Sequence, residues 1–142
     1  MQTDKNKIIK QANQISSNTL MGTLDMEFID FGEDYVVCKM PVNSRVHQPD
    51  GILHGGATVA LAESVGSFAS RLFVNDPETI VRGIEISANH VRSAKDGFVY
   101  ARATKIHFGR TIQLWQIRIT DEKDELISLA KLTTIAIKKN KK

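Results

Sequence analysis

The chain has 142 residues, enough for one domain with a respectable core and too few for a second. Apolar residues make up 42% and charged residues 25%, ordinary proportions for a soluble globular protein. The formal charge is +3 and the terminal IKKNKK carries much of it; without that tail the chain is near neutral, which gives little footing for nucleic-acid binding.

In chain order, Asp4 to about Ser17 places Ile8, Ile9, Ala12 and Ile15 at near-helical spacing and predicts a short amphipathic helix. No apolar run of signal-peptide length occurs there, and no later segment is long enough to cross a bilayer, so a cytoplasmic protein is expected. From Thr23 to Phe31, Leu24, Met26, Phe28 and Phe31 alternate roughly as in a half-buried strand. Gly32-Glu33-Asp34 signals a turn, and YVVCKMPV continues as a second strand, predicting a hairpin. Cys38 in that strand is the single cysteine; it fits a reducing compartment and reads as a small core residue.

A polar loop from Asn43 to about Gly51 leads into a long helix. At about 100° per residue, Ala57, Leu61, Val65, Phe68 and Leu72 share one face. Glu63, Ser67 and Ser70 share the opposite face with Gly56 and Val59, a small, sparsely polar surface that lets something approach closely. Beyond NDPE, four strand-like segments follow (79–91, 98–108, 111–121 and 126–137), joined by turns such as AKDG and EKDE. The sum is an α+β pattern: an antiparallel six-stranded sheet curled around one long central helix. The expected division is a helical segment over 1–18, one domain over 19–138 and a basic tail over 139–142.

The chemistry concentrates at the mouth of the long helix. Unpaired N–H groups at Gly55 and Gly56 can reach an oxygen, because no side chain covers them, and can polarise a carbonyl. The other reading is close backbone packing. His54 and Gln48 stand ready to add contacts. Glu63 is either a solvated charge or an oriented base or nucleophile, with Ser67 one turn on to hold it by a hydrogen bond. Gly55 and Glu63 are eight residues apart, about 12 Å along a helix, so one carbonyl cannot touch both in one chain. If both act, the site joins two subunits and the protein is at least a dimer.

The blocks MPVNSRVHQPDGILHGGATVALAESVGS, GIEISANHVRSAKDG and LWQIRITDEKDELISLAKLTT, between about Met21 and Ile137, resemble the hotdog-fold acyl-CoA thioesterases of the PaaI-like superfamily. Within them the likeness is to the branch of the 1,4-dihydroxy-2-naphthoyl-CoA hydrolases and the enterobactin proofreading thioesterases. The resemblance implies hydrolysis of an aromatic (hydroxybenzoyl- or dihydroxynaphthoyl-type) or small acyl-CoA. It implies no metal, no cofactor beyond the CoA of the substrate, and a homodimer or dimer of dimers. It assigns Glu63 as nucleophile or base, Gly55 as the polarising amide, and Gln48, His54 and Ser67 as supporting residues. It assigns CoA contacts to Gly83, to His90, Val91, Arg92 and Ser93, and to the stretch His107 to Thr111 with Gly109 and Arg110. Asp50 and the run Ser70-Arg71-Leu72 depart from the family pattern, which leaves the acyl group open.

Unaided, Arg92 and Arg110 suit CoA phosphates best among the scattered cations. The histidines at 47, 54, 90 and 107 lack metal-ligand spacing. Ser64 and Ser67 lack a nucleophile-elbow context, and the few aromatic residues make no single-strand platform. Neither nucleic acid nor membrane is expected as a partner. Two readings survive: the thioesterase, and a non-catalytic module on the same fold that binds acyl-CoA or acyl carrier protein. A hotdog dehydratase is a weaker third, since it needs a differently arranged His and acid.

Overall fold

A computed structural model describes residues 2–140. The elements are α1 (Gln2–Ser16), α2 (Leu20–Thr23), β1 (Glu27–Phe31), β2 (Tyr35–Pro41), a 3₁₀ turn (Ser44–Val46), α3 (Gly55–Val74), β3 (Thr79–His90), β4 (Phe98–Phe108), β5 (Ile112–Thr120) and β6 (Leu126–Lys138). The strands form one antiparallel sheet in the order β1-β2-β4-β5-β6-β3. Helix α3 packs against β2, β3, β4, β5 and β6, so the sheet curls around it in the hotdog arrangement.

Alternation builds the sheet. Val36, Cys38 and Met40 of β2, and Trp115, Ile117 and Ile119 of β5, point inward and are almost wholly buried. Small residues on α3 let it sit close on this surface: a Cβ at Gly66 would stand 2.5 Å from Leu132 Cδ2. The buried face of α3 is therefore carried by Thr58, Leu61, Ala62, Val65, Gly66, Ala69 and Ser70. Of the expected stripe, Leu61 and Val65 are buried, while Ala57, Phe68 and Leu72 lie half-buried on its flank.

Ser70 does not share the open face with Glu63, as its place on the helical wheel predicts. It is fully buried, because the twisted sheet covers a different arc of α3 near its C-terminal end. There the Trp115 indole N–H donates to Ser70 Oγ at 2.6 Å, and the Thr134 hydroxyl donates to Gln113 Oε1 at 2.9 Å. That leaves the Ser70 hydroxyl to donate to Thr134 Oγ1, at 2.6 Å. Gln113 Nε2 closes the run on the Gly109 carbonyl at 3.0 Å. The chain of bonds is buried, directional and fully satisfied, and it ties α3 to the β4–β5 turn.

The expected strand from Thr23 begins only at Glu27. Thr19 caps α2 by accepting the Met21 N–H at 3.2 Å, and Asp25 turns the chain with φ 54°. Local capping outweighs the alternation of Leu24 and Met26 at this point. Helix α1 lies along β1, where both ends of the Asn13 amide meet one residue: Nδ2 donates to the Phe28 carbonyl at 3.0 Å, and Oδ1 accepts the Phe28 N–H at 2.8 Å. In the expected basic tail, the Lys139 N–H donates to the Glu78 carbonyl at 2.8 Å, and positions 141–142 lie outside the described residues. Among the described residues no helix is long and apolar enough to cross a membrane.

Candidate active site

Helix α3 opens on four backbone donors, three of which are engaged. The Gly56 N–H donates to Nδ1 of His54 at 2.7 Å. The Ala57 and Thr58 N–H groups both point to the His54 carbonyl, at 3.0 and 3.2 Å. The Gly55 N–H has no partner among the described residues. It stands at the positive end of the helix dipole, in a hollow of about 440 Å³ that also takes in Gln48, His90, Val91, Arg92 and Ser93. His54 thus serves as the helix cap, its ring turned back on Gly56.

Two side chains are aimed at this free donor's surroundings. A Cβ at Gly55 would stand 2.9 Å from His90 Nε2, so glycine is what allows that ring its position. The Ser128 hydroxyl donates to the Asn89 carbonyl at 3.1 Å, so the 2.9 Å contact between His90 Nδ1 and Ser128 Oγ is donated by the ring. A neutral His90 therefore presents a bare Nε2 toward Gly55. Gln48 uses its Oε1 to accept the Asp50 N–H, which leaves its amide NH₂ free to donate.

Glu63 stands two turns along α3 in a different recess. It is exposed, and it lines an open groove of about 700 Å³ with Gly56, Val59, Ser67 and Arg71 of the same helix and Ile15, Leu20 and Met21 of α1 and α2. Its Oε2 lies 3.2 Å from where a Cβ of residue 83 would stand. Gly83 sits where β3 bulges before Glu85, so the strand clears space for the carboxylate. The hydrogen bond expected from Ser67 to Glu63 is not formed among the described residues, because the carboxylate leans toward β3. Gly83 accordingly belongs beside Glu63, apart from the other positions expected to contact CoA.

The remaining expected residues occupy a third place. Gly109, Arg110 and Thr111 line a hollow of about 560 Å³ with Asp76, Thr79 and Lys138. His107 flanks it: a Cβ at Gly109 would stand 2.9 Å from the ring's Nε2. Lys138 and the Thr79 hydroxyl hold the Asp76 carboxyl well below the usual carboxylate range, Lys138 being the larger cause. Arg92, at the Gly55 hollow, pairs with Glu125 at 2.9 Å on the open surface, a contact worth little. Burial pushes the Cys38 thiol up to about 12, in keeping with an inert core residue. No group of three or more metal-ligating side chains occurs among the described residues.

The thioesterase superfamily profile matches residues 50–128, which span the helix mouth, Glu63, Gly83 and the His90 block. The chain belongs to this superfamily. It is 46% identical to the 1,4-dihydroxy-2-naphthoyl-CoA hydrolase of Escherichia coli, over 92% of this chain and 96% of that one. The crystal structure of a thioesterase from Haemophilus influenzae superposes with a TM-score of 0.88 at 44% identity, covering 92% of this chain and 90% of the other. A Staphylococcus aureus thioesterase, 38% identical, was crystallised in two single-substitution forms, with TM-scores of 0.82 and 0.80. These cover 85% and 82% of this chain, and 100% and 97% of theirs. One form replaces a glutamate and the other a glutamine, fifteen positions apart, the separation of Glu63 and Gln48 here.

As a member of the thioesterase superfamily the protein is a thioester hydrolase with the hotdog fold. Two features of this thioesterase escape a reading of the sequence alone. The wall that α1 and α2 raise beside α3 is one; its signal is Ile15, apolar yet 75% exposed. The anchoring of Arg71, noted above only as a departure from the family pattern, is the other: the side chain reaches past the end of α3 to the carbonyls of Thr79 and Asp76, at 2.8 and 3.0 Å.

Proposed function

We propose that this thioesterase hydrolyses acyl-CoA at a site shared between two protomers, with Gly55 of one and Glu63 of the other flanking the same acyl carbon. The observation that carries the reading is the N–H of Gly55, uncommitted among the described residues at the mouth of α3, about 12 Å along the helix from a carboxylate that opens into a separate groove. Each half is incomplete by itself: a donor without an attacking group, and an attacking group without a donor. Two copies with their α3 helices running antiparallel bring the halves together twice. The equal spacing of the residues replaced in the Staphylococcus aureus thioesterase supports the same pairing of Gln48 and Glu63.

In the reaction, the thioester oxygen accepts the Gly55 N–H, with the Gln48 amide as a second donor. Glu63 takes a proton from water as the water oxygen bonds to the acyl carbon, or itself attacks to give an anhydride that water then opens. Charge that gathers on the oxygen is held by the amide at the positive helix end. The C–S bond breaks, CoA departs as thiolate and is protonated, and the carboxylic acid is released. Arg92 and Arg110 are the cations suited to the phosphates of CoA, with His90 beside Arg92 in the Gly55 hollow. The name of the Escherichia coli relative supports an aromatic acyl group among the substrates.

The test is release of free thiol from a panel of aromatic and aliphatic acyl-CoAs. Glu63→Gln is expected to lower kcat by about 10²-fold or more. Undiminished turnover in that variant removes Glu63 from the mechanism. Tight binding of acyl-CoA with no thiol release by the wild type replaces the hydrolase with a binding module.

A further inference from the structure

Beyond Ser67 the Glu63 groove runs into a second hollow, of about 430 Å³, and the two share Ser67 and Arg71. This second hollow is lined by three cationic side chains, Arg71, Arg82 and Lys139, and by no acidic one. Arg71 is held in place by its two backbone acceptors and makes no ion pair among the described residues. Among the described residues Arg82 Nη1 bonds only the carbonyl of Val81, at 2.9 Å. The carboxylate of Asp76, whose carbonyl Arg71 holds, is already taken by Lys138, the Thr79 hydroxyl and the Glu78 N–H. A fixed guanidinium with donors to spare, flanked by two more cations, is arranged to receive an anionic oxygen.

The geometry points to a subsite for an anionic group, a carboxylate, at the far end of the acyl chain. The inference rests on the hydrolase reading above and adds the substrate class: acyl thioesters that are apolar in the middle and anionic at the tip. Glu63 and Arg71 are eight residues apart on one helix, about 12 Å, which suits a medium-length acyl group whose thioester carbon lies at Glu63. The groove that holds both has Phe68 between them on α3 and is walled by Leu20 and Met21, a lining for hydrocarbon. The phosphates of CoA offer the same oxygen chemistry. They hang, however, from a pantetheine arm longer than two helical turns, and Arg92 and Arg110 already provide cations elsewhere.

The experiment compares suberoyl-CoA with octanoyl-CoA, matched in length and differing in the terminal carboxylate, in wild type, Arg71→Gln and Arg71→Lys. The ratio of kcat/KM for suberoyl over octanoyl is expected to fall by about tenfold or more in Arg71→Gln and to be largely kept in Arg71→Lys. Repeating the pair as N-acetylcysteamine thioesters, which carry no phosphate, is expected to preserve that fall. An Arg71→Gln variant that slows both acyl groups alike gives Arg71 only its role of fastening the end of α3 and overturns the subsite. A fall that disappears with the phosphate-free thioesters assigns the hollow to CoA, and wild-type turnover of other acyl-CoAs with none of suberoyl-CoA overturns the carboxylate subsite. Thiol release from no acyl-CoA at all is a different failure, that of the hydrolase reading.

Discussion

Gly55 carries two separable properties, an open backbone donor and the absence of a Cβ. It is the first residue of α3, after a cap at His54 in extended conformation with φ −67° and ψ 130°. A proline is sterically welcome at such a position and removes the N–H without breaking the helix. Gly55→Ala keeps the donor and crowds the His90 ring, whose nearest atom stands 2.9 Å from the new Cβ. Gly55→Pro crowds it similarly and deletes the donor. The expected outcome is that proline lowers kcat by a further ~10²-fold relative to alanine, the usual loss when one oxyanion donor is removed. Steady-state kinetics of the pair checks this; equal activity denies the amide its role.

Among the elements, α3 does the most, because one helix holds the free amide, the carboxylate and Arg71. Its position depends on the buried run from Trp115 through Ser70 and Thr134 to Gln113. Ser70→Ala strands the Trp115 N–H in the core with no acceptor, and its expected cost is about 1–3 kcal/mol of stability, readable from urea unfolding. The same run ends on Gly109, so the Arg110 turn is expected to loosen with it. Most of these elements are legible in the sequence, since β4 through β6 follow from alternation between turn signals and α3 from its apolar face. Ser70 is not: a wheel fixes angles about one helix, whereas burial depends on where a twisted sheet happens to lie over it. Nor is α2, whose four residues are set by a threonine cap that simple alternation masks. Gly55 and Glu63 stand out in the sequence by residue type and place. Arg71 stands out there only as part of a departure from the family pattern, and its anchoring on carbonyls beyond the helix end is not legible.

For the whole molecule, the proposal of a shared site makes a demand on assembly. Strand β3 lies at one end of the sheet and is exposed over most of its length, with Ile84 at 55%. A second copy would cover such an edge. Mixing two inactive proteins tests the arrangement: Glu63→Gln supplies the amide half, and Gly55→Pro supplies the acid half. Mixed dimers hold one site with both groups intact and one with neither. Thiol release is therefore expected to reappear on co-refolding, up to about half the wild-type rate per mixed dimer, as independent sites require. No recovery, despite mixed dimers seen by native mass spectrometry, places both groups within one subunit or dismisses one of them.

The opposite rim of the sheet, at β1, is closed differently. The side-chain amide of Asn13 bonds Phe28 as a neighbouring strand's backbone would, so a helix stands in for the missing strand. The same helix ends at Ile15 and Ser16, in the wall of the groove. One amide thus joins two traits that are ordinarily tuned apart: what the enzyme admits, and whether its rim stays out of reach of other chains. Selection for a roomier entrance that slackened this clasp would bare a strand as it did so, and a taste for bulkier substrates would arrive together with a tendency to clump.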